Sequence, residues 1–265
     1  MTPAAMQSEV QGAINQRGAD VYADFLIPHL RPNAIVLDCG CGTGTITLGF
    51  AAAVPQGRVI GVDLDMTGLV GARQAAALLE QKNLAWIAGD GRSLPFHDAA
   101  FDAAFCHSVL EVLADPAPVI AELRRVTKRG GVVGAASVEY DGIILAGEPA
   151  AGPRRFYDIR QRLWRAAEIA EPNTGRRLRG LFHAAGFGQV EAFAHYINYG
   201  TPDRIRAFAA DRAAECRDGE LHAAVTRYGI AALEELLDLA SAWEKWGDDP
   251  AAFFAFAWCR VLAWP

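Results

Sequence analysis

The chain has 265 residues, of which 52% are hydrophobic and 21% are charged. This length and apolar content can supply a large buried core, either as one α/β domain with insertions or as two modest domains, and we favour one domain. The formal charge of −6 excludes the dense positive charge on which non-specific nucleic-acid binding rests. No nucleic-acid partner is therefore expected.

Cysteine usage and the two ends of the chain bear on the compartment. The five cysteines are an odd number without a spaced framework of pairs, which is typical of a reducing cytoplasm. The amino-terminal segment lacks the charged-then-apolar pattern of a secretion signal. The apolar run Phe253–Trp264 is interrupted by Arg260 and is too short to span a bilayer. We expect a cytoplasmic protein without a membrane partner.

Strands and helices alternate along the first half of the chain. Residues 1–30 are predicted to form a helical leader that lies against the main domain. The elements predicted next are a strand ending at Asp38, helix Thr45–Val54, strand Arg58–Asp63, helix Met66–Gln81, strands Ala85–Ala88 and Phe101–Cys106, helix Pro116–Val126 and strand Val132–Val138. The pair Gly130-Gly131 is predicted to end the unit before that last strand. Five apolar strands alternating with helices predict a parallel sheet covered on both faces.

The pattern changes after residue 138. The predicted elements are helices Arg154–Ala170 and Gly175–Ala185, strand Gly188–Tyr199, a helical stretch Thr201–Trp246 and strand Phe253–Trp264. We expect residues 34–138 to be a ligand-binding core, and residues 139–174 and 201–246 to be helical insertions that cover a substrate site.

The most informative segment is Val36–Gly44, an apolar strand that ends in an acid and enters three alternating glycines. Glycine lets the backbone turn sharply and approach a ligand, and the helix that follows directs free N–H groups at it. Asp63 ends the second strand, where a carboxylate accepts hydrogen bonds from ribose hydroxyls of either NAD or S-adenosylmethionine. These features alone leave both ligands open.

The spacing of the glycines and Asp38 favour S-adenosylmethionine. The dinucleotide fingerprint is GxGxxG, whereas Gly40, Gly42 and Gly44 give GxGxG. A carboxylate at Asp38 would repel a pyrophosphate, but it can accept a hydrogen bond from the ammonium group of an amino acid.

Four segments in this order resemble the Rossmann-like S-adenosylmethionine-dependent methyltransferases of the ubiquinone/menaquinone-biosynthesis-like, small-molecule group. They are Val36–Gly44, Val59–Asp63, Gly89–Phe96 and Phe101–His107. The resemblance implies a single α/β domain with a seven-stranded, mostly parallel sheet, helices on both faces and helical lid insertions. It also implies methyl transfer to an O, N or C nucleophile of a small-molecule metabolite, with S-adenosylhomocysteine as the other product.

The same resemblance implies a set of cofactor contacts. The methionine part would be held by Asp38 and by the turn of Gly40, Cys41, Gly42, Thr43 and Gly44. Asp63 would bind the ribose, and Asp90 would bind the amino group of the adenine. The adenine ring would pack on Leu64 and on the backbone of Gly91-Arg92, while Cys106 and His107 would close the pocket. Asp102 corresponds to a structural acid and is expected to be non-catalytic.

His107 and Tyr140 are the candidate catalytic residues. His107 ends the fourth strand, where an open α/β sheet presents ligands, and its usual pKa suits a general base. The alternative is that His107 only packs beside the cofactor, since methyl transfer needs chiefly alignment. Tyr140 follows the fifth strand and is expected to contact substrate. No metal is predicted, because Cys39-x-Cys41 lacks the partners of a zinc site.

Residues after Glu139 supply the candidate substrate contacts. Phe156, Arg160 and Trp164 form either an aromatic lid or a buried helix face. Tyr196 and Tyr199, with His195, either line the substrate pocket or belong to the core. Positive charge is concentrated in Arg154, Arg155, Arg160, Arg162, Arg165, Arg176, Arg177 and Arg179, which either steers an acidic substrate or forms a solvated helix face.

Two other functions remain open at this stage. One is a NAD-dependent oxidoreductase, against which the GxGxG spacing and the loop at Asp90 argue. The other is a protein that binds S-adenosylmethionine without transferring its methyl group, since a fold does not fix a function. The sequence does not indicate the methyl acceptor or the oligomeric state.

Overall fold

The computed structural model describes residues 18–168 and 170–265. Within them one seven-stranded sheet has the order β3-β2-β1-β4-β5-β7-β6. The strands are β1 (Ile35–Cys39), β2 (Arg58–Asp63), β3 (Leu84–Ala88), β4 (Phe101–His107), β5 (Thr127–Ala146), β6 (Gln189–Tyr199) and β7 (Phe253–Trp264). The helices are α1 (Ala19–Tyr22), α2 (Thr45–Ala53), α3 (Met66–Leu78), α4 (Ala117–Val126), α5 (Ala151–Ala166), α6 (Leu178–Ala184), α7 (Pro202–Cys216), α8 (Gly219–Arg227) and α9 (Leu233–Gly247).

The sheet is parallel from β3 to β5, and β7 runs antiparallel to both of its neighbours, β5 and β6. The central strands β1 and β4 are buried over almost their whole length, as expected for strands covered by helices on both faces. The predicted seven-stranded, mostly parallel α/β fold is confirmed. The carboxyl ends of the parallel strands meet at one edge, where ligands bind in open α/β sheets.

Strand β5 is much longer than the predicted Val132–Val138. It runs from Thr127 to Ala146, so Gly130-Gly131 lies inside it rather than ending the preceding unit. At its amino end β5 already pairs with β4, at Phe101–Thr127. Its carboxyl end is extended by antiparallel pairing with β7, from the pair Val133–Ala263 to the pair Ala146–Phe253, with an irregularity after Glu139. The β5, β7 and β6 part of the sheet therefore projects beyond the end of β4.

An aromatic cluster covers this projecting part of the sheet. Helices α5, α7 and α9 pack there around Phe254 and Trp243, both fully buried. The ring centroids of Phe208 and Phe254 are 4.7 Å apart. The segments expected to be helical insertions thus form a second apolar core at one end of the sheet. Helix α5 begins three residues before, and ends four residues before, the helix predicted at Arg154–Ala170. The domain boundaries themselves stay a prediction.

Residues 18–30 are less helical than predicted for the leader, whose first 17 residues lie outside the described part of the chain. Here α1 is only four residues long and a 3-10 turn spans Ile27–His29, where Pro28 occupies the start of the turn. Arg260 on β7 fixes this segment: its Nη1 donates to Asp24 Oδ1 at 2.8 Å and its Nη2 to the Val21 carbonyl at 2.9 Å. Among the described helices, none has the length and apolar character needed to cross a membrane.

The aromatic cluster should contribute strongly to stability. Replacing fully buried Phe254 by Ala is expected to lower the free energy of unfolding by about 3–5 kcal/mol, because it removes apolar contacts and leaves a cavity. The control is Phe193→Ala on β6, where the side chain is 38% exposed and the loss should be below about 1.5 kcal/mol. Urea unfolding measures both, and equal losses would contradict the packing described.

Candidate active site

The glycine turn after β1 is held in a backbone conformation that other residues rarely adopt. Gly40, Gly42 and Gly44 have φ angles of 78°, 51° and 78°. A Cβ atom on Gly40 would lie 2.1 Å from Val109 Cγ2, and one on Gly44 would lie 2.4 Å from the Trp86 ring. Helix α2 begins directly after the turn, so its amino-terminal N–H groups face the same edge of the sheet.

Asp38 is a buried carboxyl group beside this turn. Its side chain is 2% exposed, and the hydroxyl of Thr47 on α2 donates to its Oδ2 at 2.6 Å. Burial raises the pKa of Asp38 to about 7 against the opposing effect of the Thr47 hydrogen bond, and the charge of Asp63 raises it further. In the described part of the chain no cationic side chain forms an ion pair with Asp38. This site fits the ammonium group of a bound amino acid.

Asp63 ends β2 and faces the same turn. Its Oδ2 accepts the N–H of Gly42 at 2.7 Å, and its Oδ1 accepts the N–H of Asp65 at 2.8 Å. Each carboxylate oxygen keeps a further lone pair, so both can also accept from a diol. The next residue, Leu64, is apolar yet 67% exposed, which suits a flat ring packed on it. Burial raises the pKa of the Cys41 thiol, so this side chain stays protonated.

The third loop carries Asp90, Gly91 and Arg92. Arg92 Nη2 lies 2.7 Å from Asp90 Oδ2 in an ion pair, and hydrogen bonds from Arg92 lower the pKa of Asp90. A Cβ atom on Gly91 would lie 2.8 Å from Cys39 Sγ, so this glycine allows the loop to approach β1. Cys106, expected to close the pocket, is fully buried in the apolar core beside Cys39.

His107 is enclosed by aromatic rings. Its ring stacks on Trp258 at 4.4 Å and meets the edge of Tyr22 at 4.9 Å, and the residue is 8% exposed. These contacts favour the alternative that His107 packs beside the site, and its role as a general base stays a prediction. Asp102, at the opposite end of β4, accepts from the N–H of Ile35 at 2.8 Å, which suits the structural role expected of it.

A cavity of about 720 Å³ lies beside the carboxyl end of β4. Ser108, which follows β4, and Tyr22 and Trp258, which contact His107, line its near end. The far end is formed by α7 and by the projecting ends of β5, β6 and β7. The full lining is Val21, Tyr22, Ser108, Val138, Tyr140, His195, Tyr196, Ile197, Asn198, Tyr199, Arg204, Ala207, Phe208, Asp211, Arg212, Phe256 and Trp258.

The structure divides the predicted substrate residues into two groups. Tyr140, Tyr196 and Tyr199 line the cavity, as does His195, whereas Phe156 is fully buried in the aromatic cluster and does not reach it. Arg160 and Trp164 lie behind the wall. The Trp164 ring is 4.9 Å from that of Tyr140, and the Arg160 guanidinium lies 4.5 Å from the Trp164 ring. These two residues thus support Tyr140 instead of forming a lid.

Most of the arginine-rich segment is neutralised locally. Arg176 bonds the buried Glu139, its Nε lying 3.0 Å from Oε1, and it also pairs with Asp141. This tie holds β5 to the turn before α6. Other members that form ion pairs with nearby carboxylates are Arg155, Arg160, Arg162 and Arg165.

Several cavity residues escaped the sequence analysis. Arg204, Phe208 and Arg212 lie on α7, where the alternation of apolar and charged residues is typical of any surface helix. Trp258 lies in an apolar strand that is equally typical of a core. No sequence signal separates these side chains from structural ones.

Glu111 is a second buried carboxyl group near the site, and it is absent from the residues predicted from the sequence. It is 5% exposed and accepts a hydrogen bond from the Ser137 hydroxyl at 2.7 Å. Burial raises its pKa. Its position inside the apolar run Val109–Leu113 was the available signal, since a lone acid among buried apolar residues is unusual. Across residues 18–168 and 170–265, no three or more His, Cys, Asp or Glu side chains are grouped to hold a metal ion.

Comparison with curated proteins gives two kinds of match. Residues 37–134 match a family described as a methyltransferase domain. The probable methyltransferase ltbC of Aspergillus luteorubrus is 30% identical over 277 residues, covering 94% of this chain and 91% of that protein. An uncharacterised methyltransferase of Schizosaccharomyces pombe is 38% identical over 123 residues, covering 44% of each chain. The chain thus matches less than half of that relative's length but nearly all of the Aspergillus protein.

Solved structures share the fold. The [4+2]-cyclase SpnF superposes with a TM-score of 0.56 at 24% identity, covering 91% of this chain and 79% of that one. A Haemonchus contortus phosphoethanolamine N-methyltransferase in complex with S-adenosylhomocysteine superposes with a TM-score of 0.54 at 17% identity, covering 89% of this chain and 49% of that one. At these identities the likeness concerns the fold.

The raised pKa of Asp38 predicts a pH-dependent stability. The pKa of Asp38 is about 7 in the folded protein, against an ordinary value of 3.8. At a pH between these two values the carboxyl group is protonated in the folded state and ionised in the unfolded state. Stability should therefore fall as pH rises through that window, and neutral Asp38→Asn should escape this loss. We expect the unfolding free energy of the variant, relative to the parent, to rise by about 1–4 kcal/mol from about pH 5 to about pH 8.

Urea unfolding of ligand-free protein at several pH values measures this difference. Asp238→Asn, at an exposed position of α9, is the matched control and should show a constant difference from the parent. A constant difference for Asp38→Asn as well would show that the carboxyl group titrates normally.

Proposed function

The chain belongs to the S-adenosylmethionine-dependent methyltransferase family, and on that premise we propose that it methylates an oxygen, nitrogen or carbon atom of a small-molecule metabolite. The observation that supports this proposal most directly is that the glycine turn lies next to the cavity. Val109 packs on Gly40, and the adjoining residue Ser108 lines the cavity. A donor held at the turn would thus lie next to an acceptor in the cavity. The volume of about 720 Å³ suits a small molecule.

The proposed donor site uses the carboxyl ends of the first strands. The Asp38 carboxylate would pair with the donor's ammonium group, a contact that also offsets the cost of its burial. Asp63 would accept from both ribose hydroxyls, and Leu64 would pack on the adenine. The remaining proposed donor contacts are Gly40, Cys41, Gly42, Thr43 and Gly44 for the methionine part, and Asp90, Gly91 and Arg92 for the adenine.

When bound, S-adenosylmethionine supplies an electrophilic methyl group on a sulfonium, which the acceptor's lone pair takes as the carbon–sulfur bond breaks and S-adenosylhomocysteine is left. The contribution proposed for the chain is alignment and exclusion of water. Burial raises the pKa of Tyr140 to about 12, so at neutral pH this hydroxyl donates a hydrogen bond and does not act as a base. His107 would hold Tyr22 and Trp258 in place at the near end of the cavity.

The remaining proposals concern metal, compartment and partners. A sulfonium methyl group is electrophilic without a Lewis acid, so the proposed reaction needs no metal. A cytoplasmic location is supported by the five cysteines, all of which are free thiols. The net charge of −6 gives no support to a nucleic-acid partner.

Binding of the donor depends in this proposal on Asp63. Replacing it by Asn substitutes an amide donor for one acceptor oxygen, so the affinity for S-adenosylmethionine should fall at least about tenfold. Calorimetric titration measures the change, with Asp238→Asn as the control that should bind normally. NAD, titrated in parallel, should bind neither protein. Unchanged affinity of Asp63→Asn would remove this residue from the donor site, and tight NAD binding would favour the oxidoreductase alternative.

Methyl transfer itself is tested with methyl-labelled S-adenosylmethionine and a metabolite extract of the source organism. We expect a labelled small molecule by mass spectrometry and an equal amount of S-adenosylhomocysteine, with neither formed by Asp63→Asn at low donor concentration. A protein that binds the donor but labels nothing would instead be a binding protein or an enzyme of another reaction. The cyclase activity named for SpnF, on the same fold, keeps that outcome open.

A further inference from the structure

The far end of the cavity holds an excess of positive charge. Arg160 and Arg212 both form ion pairs with Glu215, with Arg212 Nη1 at 2.9 Å from Oε2. In the part of the chain that the structure describes, neither arginine pairs with a second carboxylate. Asp211 also lines the cavity, but it is exposed and is not ion-paired to them. Arg204 also lines the cavity. Three guanidinium groups thus stand against two carboxylates at this end, which leaves one positive charge to be balanced by an anion.

Hydrogen-bond donors at this end also lack acceptors. Among the described residues, Arg212 Nε and the Tyr157 hydroxyl are buried without a hydrogen-bond partner. Arg212 lines the cavity, and Tyr157 lies behind its wall, with its ring 6.0 Å from that of Tyr140. A buried donor without an acceptor is destabilising. A ligand with an anionic oxygen at the part of Arg212 that lines the cavity would gain charge pairing with its guanidinium group.

The walls between the two ends of the cavity are aromatic. Tyr199 and Phe208 stack at 4.2 Å, and Phe256 lies 5.9 Å from the Tyr140 ring. The Arg204 guanidinium lies over the Tyr199 ring at 5.2 Å. Aromatic walls favour flat rings, which stack in offset or edge-to-face arrangements. The cavity therefore combines an anion-binding end with a surface for a planar conjugated ligand.

We propose that the methyl acceptor is a planar aromatic anion, a carboxylate or a phenolate, whose negative group binds Arg212. Its rings pack against Tyr140, Tyr199 and Phe256, and the atom to be methylated reaches the near end of the cavity at Ser108. This assignment rests on the proposed methyl transfer. It specifies the acceptor class, which neither the glycine turn nor the family determines.

The test measures binding to protein saturated with S-adenosylhomocysteine, so that no reaction intervenes. The probes are a hydroxynaphthoic acid, its carboxamide with the same ring pattern, and the corresponding naphthol. We expect the acid to bind at least about tenfold more tightly than the carboxamide at neutral pH. The naphthol, titrated below and above its pKa, distinguishes a phenolate from a carboxylate requirement, since only the ionised form should gain affinity.

The variants are Arg212→Met, which removes the charge, Arg212→Lys, which keeps it, and Arg206→Met as a control on the same helix. Arg206 forms an ion pair with Asp203 and does not line the cavity. Arg212→Met should lose at least about tenfold in affinity for the acid but not for the carboxamide, Arg212→Lys should retain part of it, and Arg206→Met should bind both normally. Binding of S-adenosylhomocysteine reports whether each variant is folded.

Three results would overturn the assignment. They are the lack of any gain in affinity both for the acid over the carboxamide and for the ionised over the neutral naphthol, unchanged affinity for the anionic probe in folded Arg212→Met, and absence of binding by all three probes. If Arg212→Met does not fold, the comparison of acid with carboxamide on the parent protein and on Arg212→Lys still decides. Failure of S-adenosylhomocysteine itself to bind would contradict the proposed function rather than the acceptor class.

Discussion

The antiparallel pairing of β5 with β7 is the constraint on which the cavity depends. His107 at the end of β4 pairs with Ala136, whereas β5 continues to Ala146 because β7 supplies hydrogen-bond partners as far as Phe253. The sheet is therefore taller on one side than on the other. The step between them leaves a space directly beside the carboxyl end of β4. Helix α7 lines this space, and α5 and α9 pack behind it in the aromatic cluster. The proposed donor and acceptor positions are neighbours because of this difference in strand length.

The parallel half of the fold could be predicted closely from the sequence. Short apolar runs predicted β2 with the limits that the structure has, and α2, α3 and β3 to within a few residues. The limits of the antiparallel strand β7 were also predicted correctly. The turn at Gly40–Gly44 could also be predicted from the sequence, because its backbone conformation requires glycine at alternate positions. These features are local, so the order of residues is enough to specify them.

The proposed acceptor side could not be predicted to the same extent, because it depends on long-range pairing and on side-chain direction. The length of β5 depends on pairing with β7, which lies more than a hundred residues later in the chain. The sequence after Glu139 contains no pattern that predicts this extension. Phe156 and Tyr140 are both aromatic, yet one is buried in the core and the other lines the cavity. Arg212 differs from Arg206 only in which face of α7 it occupies. Periodicity identifies such faces without showing what each one contacts.

The position of β7 between β5 and β6 also has a consequence for assembly during translation. A chain emerging from its amino end can pair β1 to β5 in parallel as each is made, but β6 has no partner in the sheet until residues 253–264 are available. The same strand carries Arg260, which anchors the segment at Val21 and Asp24. The proposed donor side of the site can thus form on a nascent chain, whereas the cavity is completed only after β7 has been made. Ligand capture by the incomplete chain would then involve the methyl donor alone.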